Sequence, residues 1–325
     1  MIEEKQKKVR KYNVGKKSSR TMRSATLDNI TGLYERFCNY KQTEGMSQRT
    51  IKDYKSHFNY LMEFLDHEDI TRGDMTKDLF REYISWMLYD RGLSPVTVNV
   101  RMRTLRAFLR FCYKEGYIQN PIHEDLKILK TPQDLIESFT VEEIRKLLSV
   151  IDKESYAGFR DALIIQFLLD TMVRVSEMVA IRRENVHLDD GFIKLEATET
   201  KTRRARLVPL SLRTIEVLNE YMKETKEYEN EFLFLTYEGV QLSADTVRWS
   251  LRQIGQAAGI TNKRVSPHTF RHTGALMYIM NGGDPFSLQK ILGHSHMNMV
   301  RKYIQMTDMD VKEQHDLFSP LNRIF

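Results

Sequence analysis

A length of 325 residues exceeds what one typical hydrophobic core organises and suits two domains. Hydrophobic residues make up 41% and charged residues 29%, a balance that excludes a largely disordered chain. The net charge of +6 favours a polyanionic partner but does not identify it.

Cysteine usage and the apolar runs exclude several further classes. Cys38 and Cys112 lie among apolar residues, and no Cys/His spacing indicates a metal site or a disulfide scaffold. The cationic N-terminus lacks the apolar stretch of a signal peptide, and the longest apolar run, near 162–169, is too short to span a bilayer. We therefore expect a cytoplasmic protein without membrane association, metal or cofactor.

The first part of the chain predicts a basic tail followed by a helical domain. Residues 1–24 are rich in Lys and Arg without an apolar repeat, which indicates a flexible tail. Residues 25–125 carry apolar positions at helical spacing and predict four or five helices. Ser47 is a candidate N-cap for one of them, and Ser94 followed by Pro95 opens another.

The rest of the chain predicts a second, mixed domain after a polar linker at 126–136. Thr140 and Glu143 form a capping-box pattern, and helical patterns dominate from there to residue 325. Within this domain, the sequence predicts two strands at 192–197 and 206–210, joined by a polar turn. Pro209 places the second strand at a sheet edge. The predicted fold class is mainly α with a small antiparallel β-sheet.

The first cluster of chemically interesting residues is Arg174 with Glu177. Residues three apart share one helix face, so the carboxylate can orient the guanidinium. An arginine held in this way presents a planar fork to two phosphate oxygens. The alternative is an ordinary surface ion pair.

The second cluster begins with Ser266 and Pro267, an N-cap and a first helical residue. His268 and Arg271 then fall in the first helical turn, where unpaired backbone N–H groups already favour an anion. This combination predicts a phosphate site.

The third cluster lies near the C-terminus. Gly293 ends a helix, which leaves His294 at a turn, and Ser295 is a candidate cap for the next helix. Tyr303 would lie about two turns into that helix. Lys201 lies at the tip of the predicted β-turn. Taken singly, Tyr303 would be a core aromatic and Lys201 a solubilising charge.

The order of these motifs resembles the tyrosine recombinase (phage integrase) family from about Leu27 onward: Arg-x-x-Glu, a hairpin Lys, His-x-x-Arg, Leu-Gly-His and then Tyr. The resemblance implies a helical core-binding domain at 25–125 and a catalytic domain at 137–325 that ends in an exchange segment. In this family the two domains form a C-shaped clamp on DNA.

The resemblance also implies roles for individual residues. Tyr303 would be the nucleophile that forms a 3′-phosphotyrosyl intermediate, and Arg174 and Arg271 would bind the phosphate oxygens. Lys201 would be the general acid. The remaining implied roles are proton transfer or hydrogen bonding for His268 and His294, and support of Arg174 by Glu177. Predicted DNA contacts are Arg49, Thr50, Lys52, Lys55, Thr97, Asn99, Arg101, Arg103, Arg106, Arg203, Arg204 and Arg248.

The sequence departs from the family pattern in two of these motifs. Met172 stands where the family usually has Gly, and Thr200 and Thr202 flank Lys201 where glycines are usual. Both departures affect backbone flexibility rather than the reacting groups.

The implied partners are double-stranded DNA with inverted-repeat core sites and further copies of the chain. A homotetramer would act on two duplexes, and the protein without DNA would be a monomer or a weak oligomer. An apolar stripe in the tail would dock on a neighbouring subunit or on its own domain: Leu317, Phe318, Leu321, Ile324 and Phe325. The alternatives are a type IB topoisomerase-like or telomere-resolving enzyme, and a non-catalytic architectural DNA-binding protein.

Overall fold

In the computed structural model, residues 29–131, 137–197, 204–304, 315–317 and 319–323 are described. The chain divides into two units, Met1–Gln133 and Asp134–Phe325. Several predictions lie outside the described residues, namely those on the tail 1–24, Thr200, Lys201, Thr202, Arg203, Phe318, Ile324 and Phe325.

The first unit is helical, as predicted. Its helices are α1 (Ile30–Thr43), α2 (Gln48–Phe64), α3 (Lys77–Ser85), α4 (Pro95–Lys114) and α5 (Ile122–Asp125). Trp86–Asp90 extends α3 as a π-helical turn. The Oγ atoms of Ser47 and Ser94 accept backbone N–H groups at the starts of α2 and α4, which confirms both predicted caps.

Aromatic side chains fill the core between α1, α2 and α4. Phe37 and Phe108 are fully buried with ring centroids 5.7 Å apart, and Tyr34 stacks on Phe58 at 4.1 Å. Leu126 is also buried in this core, so the predicted linker at 126–136 begins too early. An apolar side chain within a polar stretch gains more from burial than from exposure.

The second unit packs helices around a small sheet. Its helices are α6 (Val141–Ser149), α7 (Tyr156–Thr171), α8 (Val175–Val179), α9 (Leu212–Glu224), α10 (Ala244–Ala257), α11 (Pro267–Met280) and α12 (Pro285–Leu292). Short 3₁₀ turns lie at Arg183–Asn185, Lys226–Tyr228, Met297–Met299, Arg301–Tyr303 and Pro320–Arg323. The predicted capping box of Thr140 and Glu143 opens α6.

The sheet contains β1 (Val186–His187), β2 (Phe192–Leu195) and β3 (Arg206–Pro209) in the order β1-β2-β3, with antiparallel pairing throughout. Ile193 pairs with Val208, and both are buried. β3 is an edge strand, as Pro209 predicted, because proline cannot donate to a further strand. The fold class is therefore mainly α with a small antiparallel sheet.

Close packing of α11 on α7 brings the middle of α11 to the end of α7. Gly274 permits this approach, because a Cβ there would lie 2.3 Å from the carbonyl oxygen of Leu169. The chain turns from α7 into α8 immediately after this contact. Within the described ranges, no helix is long and apolar enough to cross a membrane.

Candidate active site

A buried carboxylate organises the first part of the site. Glu177 is 0% exposed in α8, and its Oε2 accepts the backbone N–H of Arg174 at 3.0 Å. Arg174 Nη1 donates to Oε1 at 2.9 Å, and Arg206 of β3 donates to Oε2 through Nη2 at 2.7 Å. The predicted Arg174–Glu177 pair is therefore present, but the same carboxylate also holds a second arginine.

The two arginines keep Glu177 ionised despite its burial. Burial alone would raise the pKa of the carboxyl, but the Arg206 hydrogen bond and charge, followed by the Arg174 contacts, hold it below its ordinary value. Buried charges persist only when they are paired and hydrogen-bonded.

The backbone of Met172 is left-handed, and its carbonyl oxygen holds the side chain of Arg271 in place. Its φ of 52° lies in the left-handed region, a conformation that glycine adopts without strain. The Met172 carbonyl oxygen accepts Nη1 of Arg271 at 2.5 Å. The Met172 side chain is buried, so its apolar packing offsets the cost of the left-handed backbone.

Arg271 is buried between the ends of two helices. It is 5% exposed, and its Nη2 donates to the Leu292 carbonyl oxygen at 2.9 Å and to His294 Nε2 at 3.1 Å. Burial, and then the charge of Arg174, lower its pKa to about 10. The guanidinium therefore stays protonated at neutral pH while two carbonyl groups fix its plane.

Gly293 ends α12, as predicted, and the His294 that follows lies against Arg271. The φ of Gly293 is 65°, and a Cβ there would lie 2.9 Å from Nη1 of Arg206. Because a guanidinium only donates, His294 accepts through Nε2. Burial, and then the charges of Arg271 and Arg174, lower the pKa of His294 to about 4, so the ring is neutral at neutral pH.

His268 lies at the exposed start of α11. Ser266 caps this helix by accepting the Thr269 N–H at 3.3 Å, and Pro267 follows as its first residue, as predicted. Partial burial, and then the charges of Arg271 and Arg248, lower the pKa of His268. The first turn of α11 thus carries a neutral imidazole among cationic groups.

The predicted helix around Tyr303 is wrong. Two short 3₁₀ turns, Met297–Met299 and Arg301–Tyr303, replace it, and Ser295 does not cap the first one, which His296 precedes. Val300 and Tyr303 are both buried. Residues three apart share one side of a 3₁₀ turn, so this geometry directs both side chains into the core.

The hydroxyl of Tyr303 is held by a residue to which the sequence assigned no role. Tyr303 is 3% exposed, and its Oη lies 2.6 Å from Nδ1 of His272. Burial raises the pKa of Tyr303, although the nearby charge of Arg271 opposes this rise. The phenol is therefore neutral at neutral pH.

Two residues of the site, Arg206 and His272, were missed by sequence reasoning, although each carried a signal. Arg206 lies two residues before the buried Val208, so both side chains lie on the same face of β3. His272 lies four residues after His268, one helical turn along the same face of α11.

The predicted DNA contacts divide by burial. Exposed residues are Arg49, Lys52, Lys55, Arg103, Arg204 and Arg248, whereas Thr50 and Thr97 are partly buried beside the caps of α2 and α4. Asn99 is buried, and its side chain exchanges hydrogen bonds with the Leu129 backbone at 2.8 and 2.9 Å. The prediction for Asn99 is therefore wrong, because the NH₂ group and the oxygen of its side-chain amide both bond to the Leu129 backbone and not to DNA.

Two arginines of α4 are also less available than predicted. Arg101 lies over the Tyr60 ring, 4.3 Å from its centroid, and Arg106 donates to the His123 carbonyl oxygen at 2.9 Å. Both are partly buried. Their long apolar stems cover the core, which a helical pattern alone does not distinguish from an exposed charged face.

A cavity of about 810 Å³ opens beside His294. It is lined by Arg204, Ala205, Arg206, Leu207, Gln289, Lys290, Gly293, His294 and Ser295. Its lining is cationic, and it adjoins the Glu177–Arg206 pair. An anionic ligand approaching from this side would meet the arginine network.

Stability of the second unit should fall as the pH drops from about 6.5, the ordinary histidine pKa, toward 4. His294 has a folded pKa of about 4. The unfolded chain therefore binds more protons between these values, so the contribution of neutral His294 is complete above pH 6.5 and is lost on acidification.

Urea unfolding at pH 7.5 and pH 5 measures this loss. The asparagine of His294→Asn cannot take up a proton. The free energy of unfolding should therefore differ less between the two pH values in this variant than in the unsubstituted protein. An equal difference in both proteins would contradict the depressed pKa of His294.

Sequence comparison shows two family matches in chain order. Residues 29–128 match the phage integrase SAM-like domain, and residues 137–309 match the phage integrase family. The second match spans more than half of the chain.

Curated relatives match over most of their lengths. Tyrosine recombinase XerD of Listeria monocytogenes serovar 1/2a is 29% identical over 300 residues, which cover 90% of this chain and 99% of the relative. Tyrosine recombinase XerD of Staphylococcus aureus strain N315 is 28% identical over 295 residues, covering 89% and 98%.

Solved structures share the fold at lower identity. The Tn1549 transposon integrase in complex with a circular intermediate DNA has a TM-score of 0.74 at 18% identity, covering 90% of this chain and 100% of that one. A lambda integrase tetramer bound to a Holliday junction has a TM-score of 0.71 at 18% identity, covering 92% and 86%.

Proposed function

The chain belongs to the phage integrase family of tyrosine recombinases, and from this premise we propose that Tyr303 carries its chemistry. In this proposal Tyr303 attacks a DNA phosphate and forms a 3′-phosphotyrosyl intermediate. Rejoining to a second DNA strand then completes site-specific recombination. The covalent intermediate conserves the energy of the broken bond, so no ATP is needed.

The observation that carries this proposal is a cluster of three guanidinium groups and one buried carboxylate. Arg174 and Arg206 bond to Glu177, and Arg271 lies close enough for its pKa to be affected by all three charges. Arg174, Arg206 and Arg271 come from three different segments of the chain, and their three positive charges exceed the single negative charge of Glu177. The remaining positive charge suits a phosphate diester. The Tyr303 hydroxyl lies close enough to Arg271 for its pKa to be affected by that charge.

Each residue then has a separate task. Arg174 and Arg271 would bind the non-bridging oxygens, and Glu177 would hold Arg174 in place. His268 and His294 would donate hydrogen bonds as charge develops on the phosphate. Losing one such donor typically costs about 10²–10³ in rate. Lys201 would protonate the leaving 5′ oxygen.

The partner in this proposal is double-stranded DNA that carries inverted-repeat core sites. Phosphate contacts would come from exposed cations of both units, among them Arg49, Lys52, Arg103 and Arg248. Such contacts position the protein on the duplex, and a few side chains reaching base edges would supply specificity.

Assembly into a tetramer on two duplexes is the second element of the partner proposal. Leu317 is 68% exposed and Leu321 is 57% exposed, so more than half of each residue's surface is open to solvent. Exposed apolar side chains near one end of a chain suit docking on a second copy. Lambda integrase, which shares this fold, has been solved as a tetramer bound to a Holliday junction, in line with this arrangement.

The test is covalent capture on a nicked suicide duplex that carries the cognate site, obtained by selection from a genomic DNA library. We expect a denaturant-resistant adduct whose DNA is attached to the peptide containing Tyr303. No adduct, or attachment at another residue, would overturn the proposal. A two-site deletion assay together with supercoil relaxation separates a recombinase from a topoisomerase-like enzyme.

A further inference from the structure

The contact between His272 and Tyr303 assigns a role that the proposed chemistry leaves open. A tyrosine hydroxyl must lose its proton as its oxygen bonds to phosphorus, because a neutral phenol is a poor nucleophile. We propose that His272 accepts the Tyr303 proton during cleavage and returns it during rejoining. This inference rests on the proposed role of Tyr303 as the nucleophile.

The geometry places the acceptor next to the reacting atom. Nδ1 of His272 lies 2.6 Å from Tyr303 Oη, within the reach required for direct proton transfer. The two ring centroids are 5.8 Å apart. Within the described ranges, His272 is the group that hydrogen-bonds to this hydroxyl.

The surroundings keep His272 ready to accept a proton. It faces His268 and Arg271 on α11, Lys302 on the Arg301–Tyr303 turn, and Tyr303 itself. Burial, and then His268 and these two cations, lower the pKa of His272, so the ring is neutral at neutral pH. A neutral phenol and a neutral imidazole are then paired. In the tautomer that carries its hydrogen on Nε2, the tautomer that this proposal assigns, the hydroxyl donates to Nδ1.

The other two histidines of the site are committed elsewhere. His294 accepts a hydrogen bond from Arg271 through Nε2. His268 is exposed at the start of α11, where the charges of Arg271 and Arg248 affect it. These placements suit contact with the phosphate, whereas His272 alone of the three contacts the nucleophile.

The step balances without a further reactant. In cleavage the Oη–H bond of Tyr303 breaks, its proton passes to Nδ1 of His272, and Oη bonds to phosphorus. The bond from phosphorus to the 5′ oxygen breaks, and that oxygen takes a proton from the general acid. In rejoining, the incoming 5′ hydroxyl gives its proton to the general acid, which lost one in cleavage, and its oxygen bonds to phosphorus. The bond from phosphorus to Oη breaks, and the imidazolium returns its proton to the tyrosine oxygen.

Two variants separate proton acceptance from simple positioning. His272→Asn retains a polar atom close to the position of Nδ1 but cannot take up a proton, whereas His272→Phe removes the hydrogen bond. We expect single-turnover adduct formation to fall about 10²-fold or more in both variants at pH 7. DNA binding by anisotropy and thermal unfolding of His272→Asn establish that the variant is folded.

The pH profile distinguishes the role further. Between pH 7 and 9 the unsubstituted protein should cleave at a constant rate, because His272 is already neutral. The rate of His272→Asn should rise with pH, because without an internal acceptor the phenol must ionise directly. A flat profile parallel to that of the unsubstituted protein would reduce His272 to a structural residue and overturn the inference.

A 5′-bridging phosphorothiolate substrate shows whether His272 transfers a proton at the tyrosine nucleophile or at the leaving 5′ oxygen. Its sulfur leaves without protonation, so it would rescue a defect at the leaving group but not a defect at the nucleophile. We expect no rescue of His272→Asn. The inference is overturned if this substrate restores cleavage by His272→Asn, or if His272→Asn cleaves ordinary DNA as fast as the unsubstituted protein. In either case, adduct formation through Tyr303 would still support the proposed function.

Discussion

Tyr303→Phe is expected to abolish the covalent adduct on a nicked suicide duplex while leaving DNA binding intact. A phenyl ring offers no oxygen to phosphorus, so neither cleavage nor strand exchange can begin. Loss of the hydrogen bond to His272 Nδ1 should cost about 0.5–1.5 kcal/mol in stability, too little to unfold the unit. Gel separation under denaturing conditions measures the adduct.

A matched control removes a different tyrosine hydroxyl from the same unit. Tyr156 Oη hydrogen-bonds to Tyr221 Oη at 3.1 Å and to the Leu235 carbonyl oxygen at 3.2 Å. Tyr156→Phe should lose stability by a similar amount, about 1 kcal/mol, and should still form the adduct. An adduct from Tyr303→Phe at the control's level would show that another residue is the nucleophile.

Glu177→Gln is expected to be among the most destabilising single changes in the second unit. The substitution keeps the shape but removes the charge that faces Arg174 and Arg206. Removing one partner of a buried ion pair typically costs about 3–5 kcal/mol, because the other charge is left uncompensated. For a unit of this size that corresponds to a fall in Tm of roughly 6–20 °C.

The same change should slow cleavage even where the protein remains folded. Glu177 orients Arg174 through Oε1 and the start of α8 through Oε2. A misplacement of about 1 Å in a positioned group can cost about 10²-fold in rate. Adduct formation at 20 °C, well below the transition, measures this effect separately from unfolding.

Glu143→Gln provides the matched control. Glu143 also lies at the third position of its helix, accepts the Thr140 backbone N–H at 2.8 Å, and pairs with Lys263 at 2.9 Å. Its side chain is 21% exposed, in contrast to the fully buried Glu177. We expect a cost of about 1 kcal/mol or less and an unchanged cleavage rate. Equal losses in both variants would contradict the special role of the buried carboxylate.

Local chemistry in the sequence was sufficient to predict several helix starts and the order of the site motifs. Ser47, Ser94 and Ser266 cap helices as predicted, because a cap depends on a side chain and the backbone three residues later. Pro209 likewise placed β3 at an edge, because proline lacks the donor that a further strand needs.

Tertiary packing decided what local patterns leave open. Arg206 bonds to Glu177, 29 positions away, and His272 bonds to Tyr303, 31 positions away. No helical or strand period reaches over such separations. Burial of Asn99 depends on the Leu129 backbone, which returns to α4 only in the folded unit. Motif order thus made Tyr303 the candidate nucleophile. Its 3₁₀ turn and its hydrogen-bonding partner follow instead from the packing of Val300 and Tyr303 into a core assembled from distant segments.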